Sequence, residues 1–145
     1  MSGTSNAAPV SIDAGLLPGG TELRGPEILG HPVGRLAICY AELVHSGRMD
    51  DALHLATVAE QERARGQSLG QRHRSEEFKR KVLPRPPNFL SAIEQGGVLS
   101  IHGAAAFLEI VTTTRREEPD GSVTSSSTTV ALPFALENGE WRVAG

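Results

Sequence analysis

The chain has 145 residues and a mass of 15.4 kDa, which is the size of one domain and too short for two full ones. Hydrophobic residues make up 39%, charged residues 21% and the net charge is -3, so wholesale disorder and a broadly basic nucleic-acid binder are both excluded. The single cysteine, Cys39, excludes a disulfide framework and an all-cysteine zinc site, and 4% aromatics argues against a stacking platform for single strands or sugars.

Residues 1–28 are small, polar and turn-rich, with Pro9, Pro18, Gly19, Gly20, Gly25 and Pro26. They read as a flexible tail or linker before a single domain at 29–145, although Val10, Ile12, Leu16 and Leu17 could form a short strand or docking segment. The N-terminus has no basic stretch before an apolar run, so it does not read as a signal peptide. The uncharged stretch Ser122 to Leu136 is crowded with Ser and Thr, whereas a membrane span needs about 20 mostly apolar residues. A complete chain is therefore expected in the cytoplasm, and a fragment of a secreted protein outside it.

Val33, Leu36, Ala37, Tyr40, Leu43 and Val44 recur at helical spacing, and Ser46-Gly47 supplies a stop. Asp50 caps a second helix that runs to Gly66. The polar stretch 67–74 reads as a loop. Ser75 then caps a third helix with Phe78, Val82 and Leu83 apolar, and Pro84 ends it. Asn88 caps a short fourth helix carrying Phe89, Leu90 and Ile93, closed by Gly96-Gly97.

The remainder reads as strand. VLSIH at 98–102 and AAFLEIVTTTRR at 105–116 flank Gly103, and Glu117 to Gly121 is a turn. The β-branched run 122–137 leads to Asn138-Gly139, a strong type I′ hairpin signal, and the last strand holds Trp141 and Val143. Trp141 is expected to dock its ring in the core. Helices first and strands second make an α+β pattern with a four-stranded antiparallel meander.

The segment from Tyr40 to Leu53, with its Gly47 break and second helix, resembles the opening helix pair of nuclear transport factor 2-like domains. The end, Phe134 to Val143 with its Asn-Gly turn and Trp141, is similar to their final hairpin. The resemblance covers about residues 32–145 in order. It implies a cone, in which N-terminal helices pack on a curved four-stranded sheet with a pocket between them. The family includes ketosteroid isomerases, cyclases, dehydratases and many members without catalysis. Tyr40 falls where ketosteroid isomerase carries a tyrosine. That enzyme also needs an early carboxylate base and a protonated Asp on a late strand. The early stretch GQSLGQRHR and the late Leu132-Pro133 carry no acid, so the isomerase reaction does not transfer. The helix-rich middle and the Pro/Gly-rich stretch at 15–28 are more similar to small domains of bacterial secreted or lipid-anchored proteins.

Glu109 shares a strand face with Phe107 and Val111, so it is expected near an apolar region, where burial would raise its pKa and suit it to proton transfer. His102 lies on the neighbouring strand and could pair with it. Tyr40, His102 and Glu109 are therefore the catalytic candidates, and Tyr40, Phe107 and Glu109 the ligand-binding ones. Arg72, Arg74, Lys79 and Arg80 form a basic cluster that could meet an anion, though Glu60, Glu62, Glu76 and Glu77 dilute its field. The five histidines show no metal-ligand spacing, and Cys39 reads as an inert, partly buried thiol. No metal or cofactor is expected. The resulting expectation is a non-enzymatic binding or assembly domain with a small-molecule or protein partner and a homodimer through the Ser/Thr-rich strand. The alternative is an isomerase, cyclase or dehydratase with its pocket between helices and sheet.

Overall fold

His31 and Pro32 open the helical half of the fold. In this computed structural model, which describes residues 20–145, the Nδ1 atom of His31 accepts the N–H of Val33 at 3.1 Å and caps helix α1, Pro32–His45. Pro32 sits at the first helical position, where its missing N–H leaves nothing unsatisfied. Helices α2 (Met49–His54), α3 (Val58–Arg65), α4 (Leu69–Val82) and α5 (Pro86–Gly96) follow in order. Then come the strands β2 (Val98–His102), β3 (Ala105–Glu117), β4 (Val123–Glu137) and β5 (Glu140–Val143).

The strand that completes the sheet lies earlier than expected. Thr21–Arg24 forms β1, which pairs antiparallel with β2, and a 3-10 turn at Gly25–Gly30 carries Ile28 into the core. Among the described residues the sheet thus has five strands in the order β1-β2-β3-β4-β5, not four, and residues 20–28 belong to the folded body rather than to a tail. The strand escapes a reading by pattern because it is four residues long and Leu23 is its one apolar residue on the inner face. Val10, Ile12, Leu16 and Leu17 lie outside the described residues.

Three helix boundaries also differ from expectation. The second helix breaks at Leu55–Thr57 because this segment bonds to β5: Val143 N–H donates to Leu55 O at 2.8 Å and Thr57 N–H to Val143 O at 2.9 Å. The Thr57 hydroxyl then caps α3. The stretch 67–74 holds the first turns of α4, not a loop, since Ser68 and Gln71 form a reciprocal capping box. Helix α5 starts at Pro86 rather than after Asn88.

The sheet is open, and its inner face carries the core. One row across it is made of Leu23, Leu99, Leu108 and Leu132, and the next of Ile101, Ala106, Phe134 and Val143. Ile28, Val33, Ala37, Ala41, Val44, Phe89 and Ile93 cover these rows from the helical side. The final turn has positive φ at both Asn138 (51°) and Gly139 (79°), as the type I′ hairpin requires. Trp141 is only half-buried, with its ring edge-on to His31 at 6.2 Å between centroids.

Candidate functional site

Alternation along β3 decides where its side chains go. Ala106, Leu108 and Ile110 are buried, so Phe107, Glu109 and Val111 point to the opposite, outer face. Phe107 is 48% exposed, and Glu109 is exposed too, contrary to the expectation of an apolar surrounding. The pattern of two partly apolar faces misleads here because the helices cover only one of them.

His102 is on the same outer face but does not meet Glu109. Glu109 pairs across with Val98 and His102 with Ala105, so four strand positions separate them, about 13 Å. The Nδ1 atom of His102 is buried without a hydrogen-bond partner among the described residues. Tyr40 is on the other side of the sheet, within the helical layer. Its ring is 3% exposed and has Lys79 Nζ 5.8 Å from its centroid. The three catalytic candidates therefore do not converge.

The basic cluster is spread along α4, a helix without a single buried residue. Arg72 pairs with Asp50 at 3.2 Å, and Lys79 is drawn over Tyr40. Arg74 and Arg80 have no carboxylate within ion-pairing distance among the described residues. Arg72 also lines a cleft of about 530 Å³ between α2 and α4, with Arg48, Asp50, Asp51, His73 and Glu76. Charges of both signs alternate there, and Arg48 bonds Asp51 at 2.7 Å. Such a lining neutralises itself and offers little to a free anion. Phe78, expected among the apolar contacts of this helix, is 66% exposed. Cys39 is exposed rather than partly buried.

A second groove, of about 470 Å³, runs between α5 and β3 and is lined by Lys81, Asn88, Ser91, Gln95, Val111 and Thr113, among others. It exists because β2 stops at Val98, opposite Glu109, while β3 continues to Glu117. Beyond that point β3 and β4 pair, among the described residues, only with each other, out to Glu117↔Val123. They form a two-stranded ribbon about 20 Å long.

Among the described residues the ribbon leaves two backbone edges unpaired, and the hydrogen bonds show which residues serve them. Leu136 N–H donates to Ala104 O at 2.8 Å, so even-numbered residues join β3 to β4. The odd-numbered ones face away, as Pro133 does when its carbonyl accepts from Ala144 N–H at 2.9 Å. Val111, Thr113 and Arg115 therefore present N–H and C=O groups along one edge, and Val123, Ser125, Ser127 and Thr129 along the other. Pattern reading located these strands but not their free edges, because an edge is defined by where the neighbouring strands stop.

Comparison with protein-family models, curated proteins and solved structures finds no match. Among the described residues no group of three or more His, Cys, Asp or Glu side chains is placed to hold a metal ion. No helix among them is long and apolar enough to cross a membrane.

Proposed function

We propose that this chain is a non-enzymatic binding or assembly module of the nuclear transport factor 2-like type, engaging its partner at the sheet edges and not in an interior pocket. The observation that carries this reading is the filled space between helices and sheet. Phe89 and Ile93 of α5, Val33 and Ala37 of α1 and Leu99, Leu108 and Phe134 of the sheet are all 2% exposed or less. In a cone of this family that space would be the ligand cavity. Two features support the family itself: helices α1–α5 come before strands β2–β5, and the Asn-Gly turn leads to Trp141.

The competing isomerase, cyclase or dehydratase reading needs an acid, a base and a tyrosine around one cavity. Tyr40 on α1 and His102 and Glu109 on the outer sheet face do not supply that arrangement. The test is thermal unfolding in the presence of steroids, aromatic polyketides and fatty acids. No shift in melting midpoint is expected. A ligand that fills the interior would stabilise the fold by about 2.7 kcal/mol at about a hundred times its Kd. A saturable shift that disappears on Phe89→Trp would overturn the reading.

A further inference from the structure

The outer strand of the ribbon reads the same in both directions. Residues 124–128 are Thr-Ser-Ser-Ser-Thr, centred on Ser126, and the flanking Val123 and Thr129 are both β-branched. We propose that a second copy of this chain pairs with this strand, antiparallel and edge to edge, about a two-fold axis through Ser126. This rests on the reading of the chain as an assembly module and adds the identity of the partner.

The backbone permits this register. A two-fold axis normal to the sheet keeps each face continuous only if paired residues have the same parity. Centring on Ser126 meets that condition: Ser126 faces its own counterpart, Ser125 faces Ser127, Thr124 faces Thr128 and Val123 faces Thr129. Ser126 bonds towards β3, so its pair across the axis is a non-hydrogen-bonded one. The pairs Ser125–Ser127 and Val123–Thr129, each occurring twice, then exchange about eight hydrogen bonds. Small hydroxyl and β-branched side chains meet their own kind throughout, and Thr–Thr pairs across strands, such as Thr124 with Thr128, are favourable. An interface of this kind, with the same patch on both copies, is the usual form of a two-fold dimer.

Charge separates the two edges of the ribbon. The free edge of β3 carries Arg115 and Glu117, with Arg116 between them, and charged edges resist pairing. The segment 122–130 has no charged residue. The free length also matches the palindrome. At one end the turn ties Gly121 N–H to Glu118 O at 2.9 Å, and at the other Ala144 bonds to Pro133. Between them the strand is exposed from Val123 to Thr129 and again at Ala131.

The interface is short, so dissociation on dilution is expected. Sedimentation of the full chain up to millimolar concentration should show a monomer–dimer equilibrium. Ser127→Glu, which places a charge on the edge and leaves the backbone ladder of β3 and β4 in place while removing only the Ser127 hydroxyl contact to Thr113 Oγ1 at 3.4 Å, should abolish it. Cross-linking reads the register. In a Cys39→Ser background, Ser126→Cys places two thiols across a non-hydrogen-bonded pair about 4.5 Å apart between Cα atoms, within disulfide range. Thr124→Cys places them about 13 Å apart. Oxidation should link Ser126→Cys at least about tenfold faster than Thr124→Cys. A monomer at every concentration, a dimer indifferent to Ser127→Glu, or equal cross-linking at the two positions would each overturn the proposal. An interior ligand found by thermal unfolding would count against the binding-module reading and leave these outcomes unchanged.

Discussion

Gly34 of α1 and Ile28 of the 3-10 turn meet backbone to backbone. A β-carbon at position 34 would stand 2.1 Å from the carbonyl oxygen of Ile28. The contact lets the turn drop Ile28 into the core with no exposed surface. Flexible side chains yield to a crowding atom, whereas a backbone carbonyl in a tight turn does not.

Gly34→Ala is therefore expected to destabilise the fold, although alanine in place of glycine normally favours a helix by about 1 kcal/mol. Overpacking typically costs about 1–3 kcal/mol, and the rigid neighbour puts the net loss near the top of that range. Urea unfolding measures it. A variant more stable than the parent would show that the turn does not rest on α1.

The cap at His31 is expected to make stability depend on pH. Burial, and then the neighbouring Arg35 guanidinium, hold the His31 pKa below its ordinary value of 6.5. The folded state thus binds fewer protons than the unfolded chain in the window just below that value, and stability rises with pH there. The contribution is complete above the unfolded pKa and is lost as pH falls through the folded one. Protonation also removes the Nδ1 lone pair that accepts from Val33. His31→Asn, whose side-chain oxygen can cap without titrating, should flatten the dependence of the melting midpoint on pH between about 7 and 5. An unchanged slope would assign the pH dependence elsewhere.

Phe134 and Trp141 should separate sharply on truncation. Phe134 is 2% exposed and lies in a core row with Ala106 and Val143, so Phe134→Ala should cost about 3–5 kcal/mol. Trp141 is half-buried at the sheet margin, and Trp141→Ala should cost less, about 1–3 kcal/mol. Equal losses in urea unfolding would contradict the margin position.

Lys79 over Tyr40 gives a smaller effect. Lys79→Ala removes the cation from the ring and its alkyl stem from the surface above it, for about 1 kcal/mol. Lys79→Arg should retain most of that. A loss as large in the arginine variant would mean that the charge over the ring contributes nothing.

Local chemistry made much of the fold legible. Gly47, Pro84 and Asn138-Gly139 stop or turn the chain wherever they stand, because their dihedral preferences need no partner. The apolar stripe of α1 and the alternation in β3 likewise carry their own period. The break at Leu55–Thr57 was invisible because its cause is a pair of hydrogen bonds to β5, about 90 residues away. β1 was hidden for a similar reason: four residues with one inward leucine become a strand only when β2 lies beside them.

The site divides in the same way. The residue types at Tyr40, His102 and Glu109 suggested acid–base chemistry, but their convergence depends on which face of the sheet the helices cover. Strand alternation is symmetric between the two faces and cannot say which is buried. The Thr-Ser-Ser-Ser-Thr palindrome was present in the sequence from the start. That its backbone edge is left unpaired by the described residues was decided only by tertiary structure, since β5 is short and Ala144 ends the pairing at Pro133. Sequence by itself determined the elements that depend on neighbours a few residues away. Packing across the chain determined which surfaces those elements bury and which they leave open, because burial is a property of the assembled layers and not of any one strand or helix.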